Sequence, residues 1–353
     1  MTRIALIKLG ALGDVVRTTS LLPGLKRLDP ATELTWITSA GAVPLVSHHP
    51  DVRVVRTAEE TGSWREEAWD WVISLDDGRV ACHLASQLRS SQLSGAYRAA
   101  DGSLRYTPDL AEWFGMGLLR PDELGGLAEA NRLKLANART YGRILYDGLG
   151  LEGPVERPAV QLPPAARREA ARLAGELRHA GTGGAEGRAL VALNTGAGGR
   201  WKYKSWGEEQ SAAMAARLHD ELDVSVAVTG GVDEAVRNAR IVALAARPGV
   251  VAAPVLSDLL VFTALLGECD LVVSSDSLAM HLAISQGVRT LVFFGPTSDA
   301  EIDLFDRGEK VVTPLECRRC YLSDCDVRPH CMASITVERM FEAAARQLGL
   351  AKA

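Results

Sequence analysis

No apolar run in this 353-residue sequence approaches the roughly 18 residues that a membrane-spanning helix requires. The N-terminus lacks the apolar core of a secretory signal, and residues 4–9 read instead as a strand. Excess positive charge is missing too. The 39 Lys and Arg stand against 44 Asp and Glu, a formal charge of −5 that argues against a protein built to coat nucleic acid. Nor is the chain poor in apolar residues: 47% are hydrophobic and 24% charged, far from the signature of disorder. These absences leave a folded protein, expected in the cytoplasm, with no nucleic-acid partner. Peripheral contact with the cytoplasmic face of an inner membrane stays open.

Two nucleotide signatures are also lacking. There is no G-x-G-x-x-G fingerprint and no phosphate loop ending in Gly-Lys-Ser or Gly-Lys-Thr, so a dehydrogenase or an ordinary nucleotide triphosphatase is poorly supported. Cysteine is sparse except in one place. Cys82 and Cys269 stand alone, whereas Cys317, Cys320, Cys325 and Cys331 crowd into fifteen residues.

What the chain does have is alternation of strands and helices, which points to an α/β protein with doubly wound parallel sheets. At typical domain sizes, 353 residues make two domains. Strands are expected at 4–9, 34–38 and 71–75, with a helix over 14–28 that Pro23 interrupts or limits. Residues 89–127 show no sustained period and read mostly as loop with short elements, and helical spacing resumes over 131–149. Six Gly and Pro residues in 150–164 mark a linker, so the boundary is placed between 1–160 and 161–353. A basic amphipathic helix (165–179) and a surface turn at 182–187 follow. The alternation then restarts, with strands at 189–194, 225–229, 271–273 and 290–294 and helices at 208–222, 233–246, 259–269, 278–286 and 335–348.

In such sheets ligands bind at the carboxyl ends of the strands, and three turns there carry unusual chemistry. The first is Gly10-Ala-Leu-Gly13-Asp14, whose glycines allow close approach of a ligand and whose aspartate is either a helix cap or a general base. The second runs from Asn194 to Trp206, where Gly196, Gly198 and Gly199 accompany Arg200, Lys202 and Lys204. A glycine-rich backbone with fixed cations replaces the water shell of a phosphate, although each cation alone reads equally as a solvated surface charge. The third is Ser274-Ser-Asp276-Ser277-Leu278-Ala-Met-His281, continued by Gly295-Pro-Thr297. Asp276 or Ser277 can cap the helix, and His281 falls one turn later on the same side.

Taken in order, these turns resemble glycosyltransferase family 9, the lipopolysaccharide heptosyltransferases and their relatives. The resemblance rests on residues 8–16 (KLGALGDVV) with Thr18-Thr19, on Lys204-Ser-Trp206, on Gly230-Gly231 before Asp233-Glu234, on residues 270–281 (DLVVSSDSLAMH), and on 294–297 (FGPT). It spans nearly the whole chain. It implies a GT-B fold, in which two Rossmann-like domains face a central cleft with the acceptor on the first and the nucleotide sugar on the second. It further implies inverting transfer of a sugar, with ADP-heptose the expected donor and a lipid-linked or oligosaccharide acceptor of the lipopolysaccharide core or a related surface glycan.

On that resemblance Asp14 is the base that takes the acceptor's proton, and Lys204 holds the donor phosphates. Gly13, Thr195, Gly196, Arg200, Lys202, Gly230, Glu234, Asp276, Ser277, Leu278 and His281 surround the donor, with Glu234 directed at its ribose. Charge builds on the departing nucleoside diphosphate, and a cradle of cations and amides can receive it, so no catalytic metal is expected. Departures from the family pattern bear on acceptor and donor identity. Arg17 stands where a histidine is frequent, Asn194-Thr195 replaces His-Pro or His-Ala, and Ser277-Leu278 replaces Thr-Gly. A nucleotide-sugar epimerase and a non-catalytic glycan- or partner-binding relative are the alternatives.

The spacing Cys317-x2-Cys320-x4-Cys325-x5-Cys331 is compact enough for one tetrahedral sulfur site. Structural zinc is the preferred occupant, iron the alternative, and four free thiols the remaining reading. Such a site is expected to pin the last helix and to lie away from the chemistry.

Overall fold

The computed structural model describes residues 1–120, 125–180, 188–199, 203–322 and 324–350. The chain forms two compact units, residues 1–161 with 300–303, and residues 162–299 with 304–353. The expected turn at 182–187 lies outside the described residues.

The first unit is built on β1 (Arg3–Ile7), β2 (Glu33–Thr38), β3 (Val54–Thr57), β4 (Ala68–Ser74), β5 (Arg89–Arg98) and β6 (Leu104–Tyr106). Their spatial order is β3-β2-β1-β4-β5-β6, with every pairing parallel except the terminal β5–β6 hairpin. A parallel sheet is covered on both faces, and β1 accordingly reads as a nearly unbroken apolar run, with Ile4, Ala5, Leu6 and Ile7 all buried. Helices α1 (Leu12–Thr18), α2 (Leu22–Leu28), α3 (Val43–Val46), α4 (Arg79–Gln87), α5 (Ala111–Gly115), α6 (Gly126–Ala136) and α7 (Tyr141–Leu149) complete the unit.

Three sequence expectations change here. The helix expected over 14–28 is two helices joined by a tight 3-10 turn at Thr19–Leu21. Pro23 sits in the first turn of α2, where its missing N–H costs nothing, so it starts a helix rather than kinking one. The helix expected over 131–149 is likewise two, because Thr140 opens α7 by accepting a hydrogen bond from the Arg143 amide at 3.3 Å. Finally, the stretch 89–127 holds, besides the short elements β6 and α5, the 10-residue strand β5. Residues 89–92 of β5 are exposed and polar, so they lack the apolar signal of an inner strand.

In the second unit β7 (Leu190–Asn194), β8 (Ser225–Thr229), β9 (Val250–Ala252), β10 (Leu271–Ser275), β11 (Thr290–Phe294) and β12 (Gly308–Val312) form an all-parallel sheet ordered β12-β11-β10-β7-β8-β9. It is flanked by α8 (Pro164–His179), α9 (Glu208–Leu222), α10 (Ala235–Ala245), α11 (Leu259–Gly267), α12 (Leu278–Gln286) and α13 (Val337–Leu348). All residues of β7, β8, β10 and β11 are buried, as a doubly covered sheet demands. No helix among the described residues is long and apolar enough to cross a membrane.

Both sheets reverse strand order at one point, between β1 and β4 in the first unit and between β7 and β10 in the second. Two crossovers leave such a switch point in opposite directions, so a crevice opens there beyond the carboxyl ends of the strands.

Candidate functional site

At the first switch point, Lys8 leaves the end of β1 and is almost wholly buried. Its ammonium pairs with Asp76, just past β4, and lies 3.8 Å from the Asp14 carboxylate. Burial opposes the charge on Lys8, but Asp14 and Asp76 outweigh it and hold the ammonium above its ordinary range. The other oxygen of Asp76 accepts the amide hydrogens of Leu9 at 2.5 Å and Gly10 at 3.3 Å. Asp76 thus ties the glycine turn and the lysine to the neighbouring strand.

Asp14 occupies the first turn of α1 without capping it, since the cap position is Ala11 and no side chain closes it. Its carboxylate instead faces Lys8 and the Arg17 guanidinium, the latter at 2.9 Å. Arg17 lies over the ring of Tyr141, 3.9 Å from its centroid, and beside Trp113 at 5.3 Å. The Tyr141 hydroxyl meets Thr18 Oγ1 at 2.7 Å, fixing α7 against α1. Burial raises the Tyr141 phenol, so it stays neutral. Gly13 is buried within α1 behind this group.

The second switch point gathers most of the expected donor residues. The Lys204 ammonium forms a 3.0 Å pair with Asp276 Oδ2, and His281 Nε2 lies 3.9 Å from the other oxygen. Burial pushes the Asp276 carboxyl up, yet Lys204 and His281 prevail and hold it below the usual carboxylate range. Neither Asp276 nor Ser277 caps α12 through its side chain; Ser277 holds the cap position with extended backbone. Its hydroxyl joins Ser274 Oγ at 2.9 Å and accepts from Asn194 Nδ2 at 3.2 Å. Asn194 also donates to Ser274 at 3.1 Å and to the Gly196 carbonyl at 2.8 Å, so one amide ties the ends of β7 and β10 to the start of α12. Leu278 opens that helix.

Thr195 donates to Asn238 Oδ1 at 2.5 Å, and Glu234 accepts the Gly231 amide hydrogen at 2.8 Å. The glycines here have a steric reason. A Cβ on Gly230 meets the Glu234 Cβ at 2.7 Å, and one on Gly196 meets the Glu234 carboxylate at 3.1 Å. Arg200 and Lys202 lie outside the described residues.

Three positions that sequence reasoning missed complete these groups. Besides Asp76, Arg237 on α10 donates to the carbonyls of Thr195, at 3.2 Å, and Trp206, holding together two points that flank Lys204. Glu301 lies 3.4 Å from Arg17 within the first unit. Asp76 follows a strand as Asp14 follows another, which was a usable signal; Arg237 and Glu301 carry none.

The cysteine segment corrects one expectation. It does not stand apart from the proposed phosphate lysine: Trp206 Nε1 donates to the carbonyls of Met332 and Ile335 at 3.1 Å. Tyr203, adjacent to Lys204, packs its ring at a tilt against the His330 ring, 4.7 Å between centroids, and donates to Asp324 at 3.4 Å. Burial pushes the Cys331 thiol up to about 11, with Cys320, Cys325 and Cys317 all near enough to add to the shift. No group of three or more His, Cys, Asp or Glu among the described residues stands ready to hold a metal ion.

Comparison with known proteins gives the family and the fold. The sequence model of glycosyltransferase family 9 (heptosyltransferase) matches residues 136–330. A family 9 glycosyl transferase from Veillonella parvula shares the fold with a TM-score of 0.77 at 18% identity, covering 98% of this chain and 97% of its own. The E. coli ADP-heptose lipopolysaccharide heptosyltransferase II follows at 0.68 and 18%, covering 99% and 98%. The E. coli heptosyltransferase WaaC, solved with ADP-2-deoxy-2-fluoro heptose, gives 0.58 and 16%, covering 96% and 97%. The paired parallel-sheet units are those of the GT-B fold. No curated protein matches the chain in sequence.

Proposed function

The chain belongs to glycosyltransferase family 9, the heptosyltransferase family, and from that premise we propose an inverting transferase that moves heptose from ADP-heptose to a hydroxyl of a lipopolysaccharide-core or related surface-glycan acceptor. Membership makes the protein a glycosyltransferase, and it favours transfer from a nucleotide sugar over the epimerase and non-catalytic alternatives. Two solved relatives support this donor: one is an ADP-heptose lipopolysaccharide heptosyltransferase and the other was solved with ADP-2-deoxy-2-fluoro heptose.

One observation carries the reading: each sheet's switch point holds one half of the required chemistry. On the first unit the Asp14 carboxylate, in the opening turn of α1, takes the proton of the acceptor hydroxyl as that oxygen attacks the anomeric carbon. The bond from that carbon to the phosphate oxygen breaks on the opposite side, so the centre inverts. On the second unit Lys204, held at 3.0 Å by Asp276, receives the negative charge gathering on the leaving diphosphate. Gly196 and Gly230 make room for the Glu234 side chain, whose carboxylate suits the donor's ribose. Arg200 and Lys202 are further cations for the phosphates.

The test is a screen of purified protein against a panel of nucleotide sugars, scored by protection from thermal unfolding, followed by transfer assays with the protecting donor. ADP-heptose is expected to protect and to be consumed only when an acceptor is added. Protection by a different nucleotide sugar, with none from ADP-heptose, overturns the donor assignment.

The four cysteines are proposed to hold a structural metal, zinc first and iron second. Their thiol chemistry and closeness to Cys331 support this, while the arrangement described does not itself assemble a ligand set. No step of the transfer runs through that group. Elemental analysis of the purified chain decides, one metal per chain being expected. A cytoplasmic location belongs to the same proposal, and so does peripheral membrane contact where the acceptor is lipid-linked rather than a free oligosaccharide.

A further inference from the structure

Arg17 is shared between two carboxylates. One terminal nitrogen lies 2.9 Å from Asp14 Oδ1 and the other 3.4 Å from Glu301 Oε2, with Tyr141 and Trp113 setting the plane of the guanidinium. Glu301 arrives on the segment 300–303, which follows β11 in sequence yet packs within the first unit. Its own carbonyl accepts the Tyr141 amide hydrogen at 2.9 Å, so backbone and side chain both anchor it beside Arg17.

Other charged groups face this pair. Asp14 also meets Lys8, which Asp76 backs, and the Tyr141 phenol lies close to both. Glu301 faces Lys134 from α6; burial lowers that ammonium to about 8, and Glu301 pulls against the fall. Charges therefore alternate from Lys134 through Glu301 and Arg17 to Asp14 and Lys8. A carboxylate gripped by two fully committed cations binds a proton poorly. A base in that state is weak, and the structure relieves it by giving Arg17 a second acceptor.

We propose that Glu301 is a positioning residue for the transfer reaction: by holding part of the Arg17 charge, it keeps Asp14 basic toward the acceptor hydroxyl. The inference rests on the reading of Asp14 as the base. Glu301→Gln takes away the second carboxylate and so strengthens the hold of Arg17 on Asp14. Lys134→Met acts in the opposite sense, because Glu301 then draws Arg17 more strongly.

The test is the pH dependence of kcat/KM with ADP-heptose and an acceptor, for both variants, for Glu301→Asp and for Asp14→Asn. Glu301→Gln is expected to move the acid limb to lower pH by about half a unit to one unit and to cut the plateau about three- to tenfold. Lys134→Met moves the limb upward, and Glu301→Asp restores the wild-type profile. A cooperative thermal melt certifies each variant, and Lys134→Met stands as the independent measurement if Glu301→Gln does not fold. Profiles of Glu301→Gln and Lys134→Met that superimpose on wild type, with Asp14→Asn inactive, overturn the proposal. Full activity in Asp14→Asn overturns the base reading itself, and this inference with it.

Discussion

The ammonium of Lys204 sits 3.0 Å from the carboxylate of Asp276, with both side chains largely withdrawn from water. A lysine alone past the end of a strand is a mobile point charge. Paired this way, it is held at one place before the donor arrives, and that preorganisation is what a charge-stabilising group requires. Replacing Lys204 with Met is expected to lower kcat about a hundredfold, the usual effect of removing one such interaction. Asp276→Asn frees the lysine and is expected chiefly to raise the donor KM. Steady-state kinetics with varied donor separates the two outcomes.

The same pair has a pH signature. The Asp276 carboxyl is held below its usual range in the folded chain by Lys204 and His281, against the opposing push of burial. Its contribution to stability is therefore complete above the unfolded value of about 4 and is lost as pH falls through the lowered folded value. Asp276→Asn is expected to flatten the acid end of the stability curve while leaving its slope near neutrality unchanged. Urea melts between about pH 3 and 7 measure this.

Asp14 invites the direct test of chemistry. Asp14→Asn keeps the shape and removes the proton acceptor, so transfer is expected to fall about a hundred- to ten-thousandfold. Donor protection against thermal unfolding should be unchanged, because all the proposed donor residues except Gly13 lie on the second unit. A matching loss of donor protection would mean that the residue binds the nucleotide sugar rather than the acceptor's proton.

These sites were legible to different degrees, for a physical reason. Turns at the carboxyl ends of buried strands announce themselves, because glycines, an aspartate or a lysine interrupt an apolar run; Asp14, Lys204 and Asp276 were all found that way. Residues that act across long chain separations leave no such mark. Asp76 reaches Lys8 over 68 positions, Arg237 reaches Trp206 over 31, and Glu301 reaches Arg17 over 284. Local pattern also misled where packing overrode it. The 3-10 turn at Thr19–Leu21 keeps helical spacing while breaking the helix, and the polar start of β5 hides a strand that pairs with β4.

Gly230 gives a steric prediction. An alanine there drives a methyl group toward the Glu234 Cβ at 2.7 Å and the Asn238 amide at 3.0 Å. The Glu234 Cβ is not the far end of a flexible chain, so the 3-10 turn at Val232–Glu234 must shift. The cost is expected to be about 1–3 kcal/mol of stability, as for overpacking elsewhere. Because Thr195 is tied to Asn238, the displacement reaches the donor side, and donor KM should rise more than kcat falls.

The cysteine segment and the donor lysine are joined through Trp206 and Tyr203, which makes a structural module answerable in kinetics. Trp206 is buried and donates to the carbonyls of Met332 and Ile335, so Trp206→Phe keeps the ring and deletes the indole N–H. Two buried carbonyls then compete for fewer donors, at about 1–3 kcal/mol. Cys320→Ser disturbs the same segment from its other side without touching Lys204. Both variants are expected to raise donor KM several-fold while leaving the pH profile set by Asp14 in place. If Cys320→Ser weakens donor protection and Trp206→Phe does so equally, the segment acts by bracing the lysine's loop. If Cys320→Ser leaves donor affinity untouched while the chain loses stability, the segment serves folding alone, and its contact with Tyr203 carries nothing to the donor.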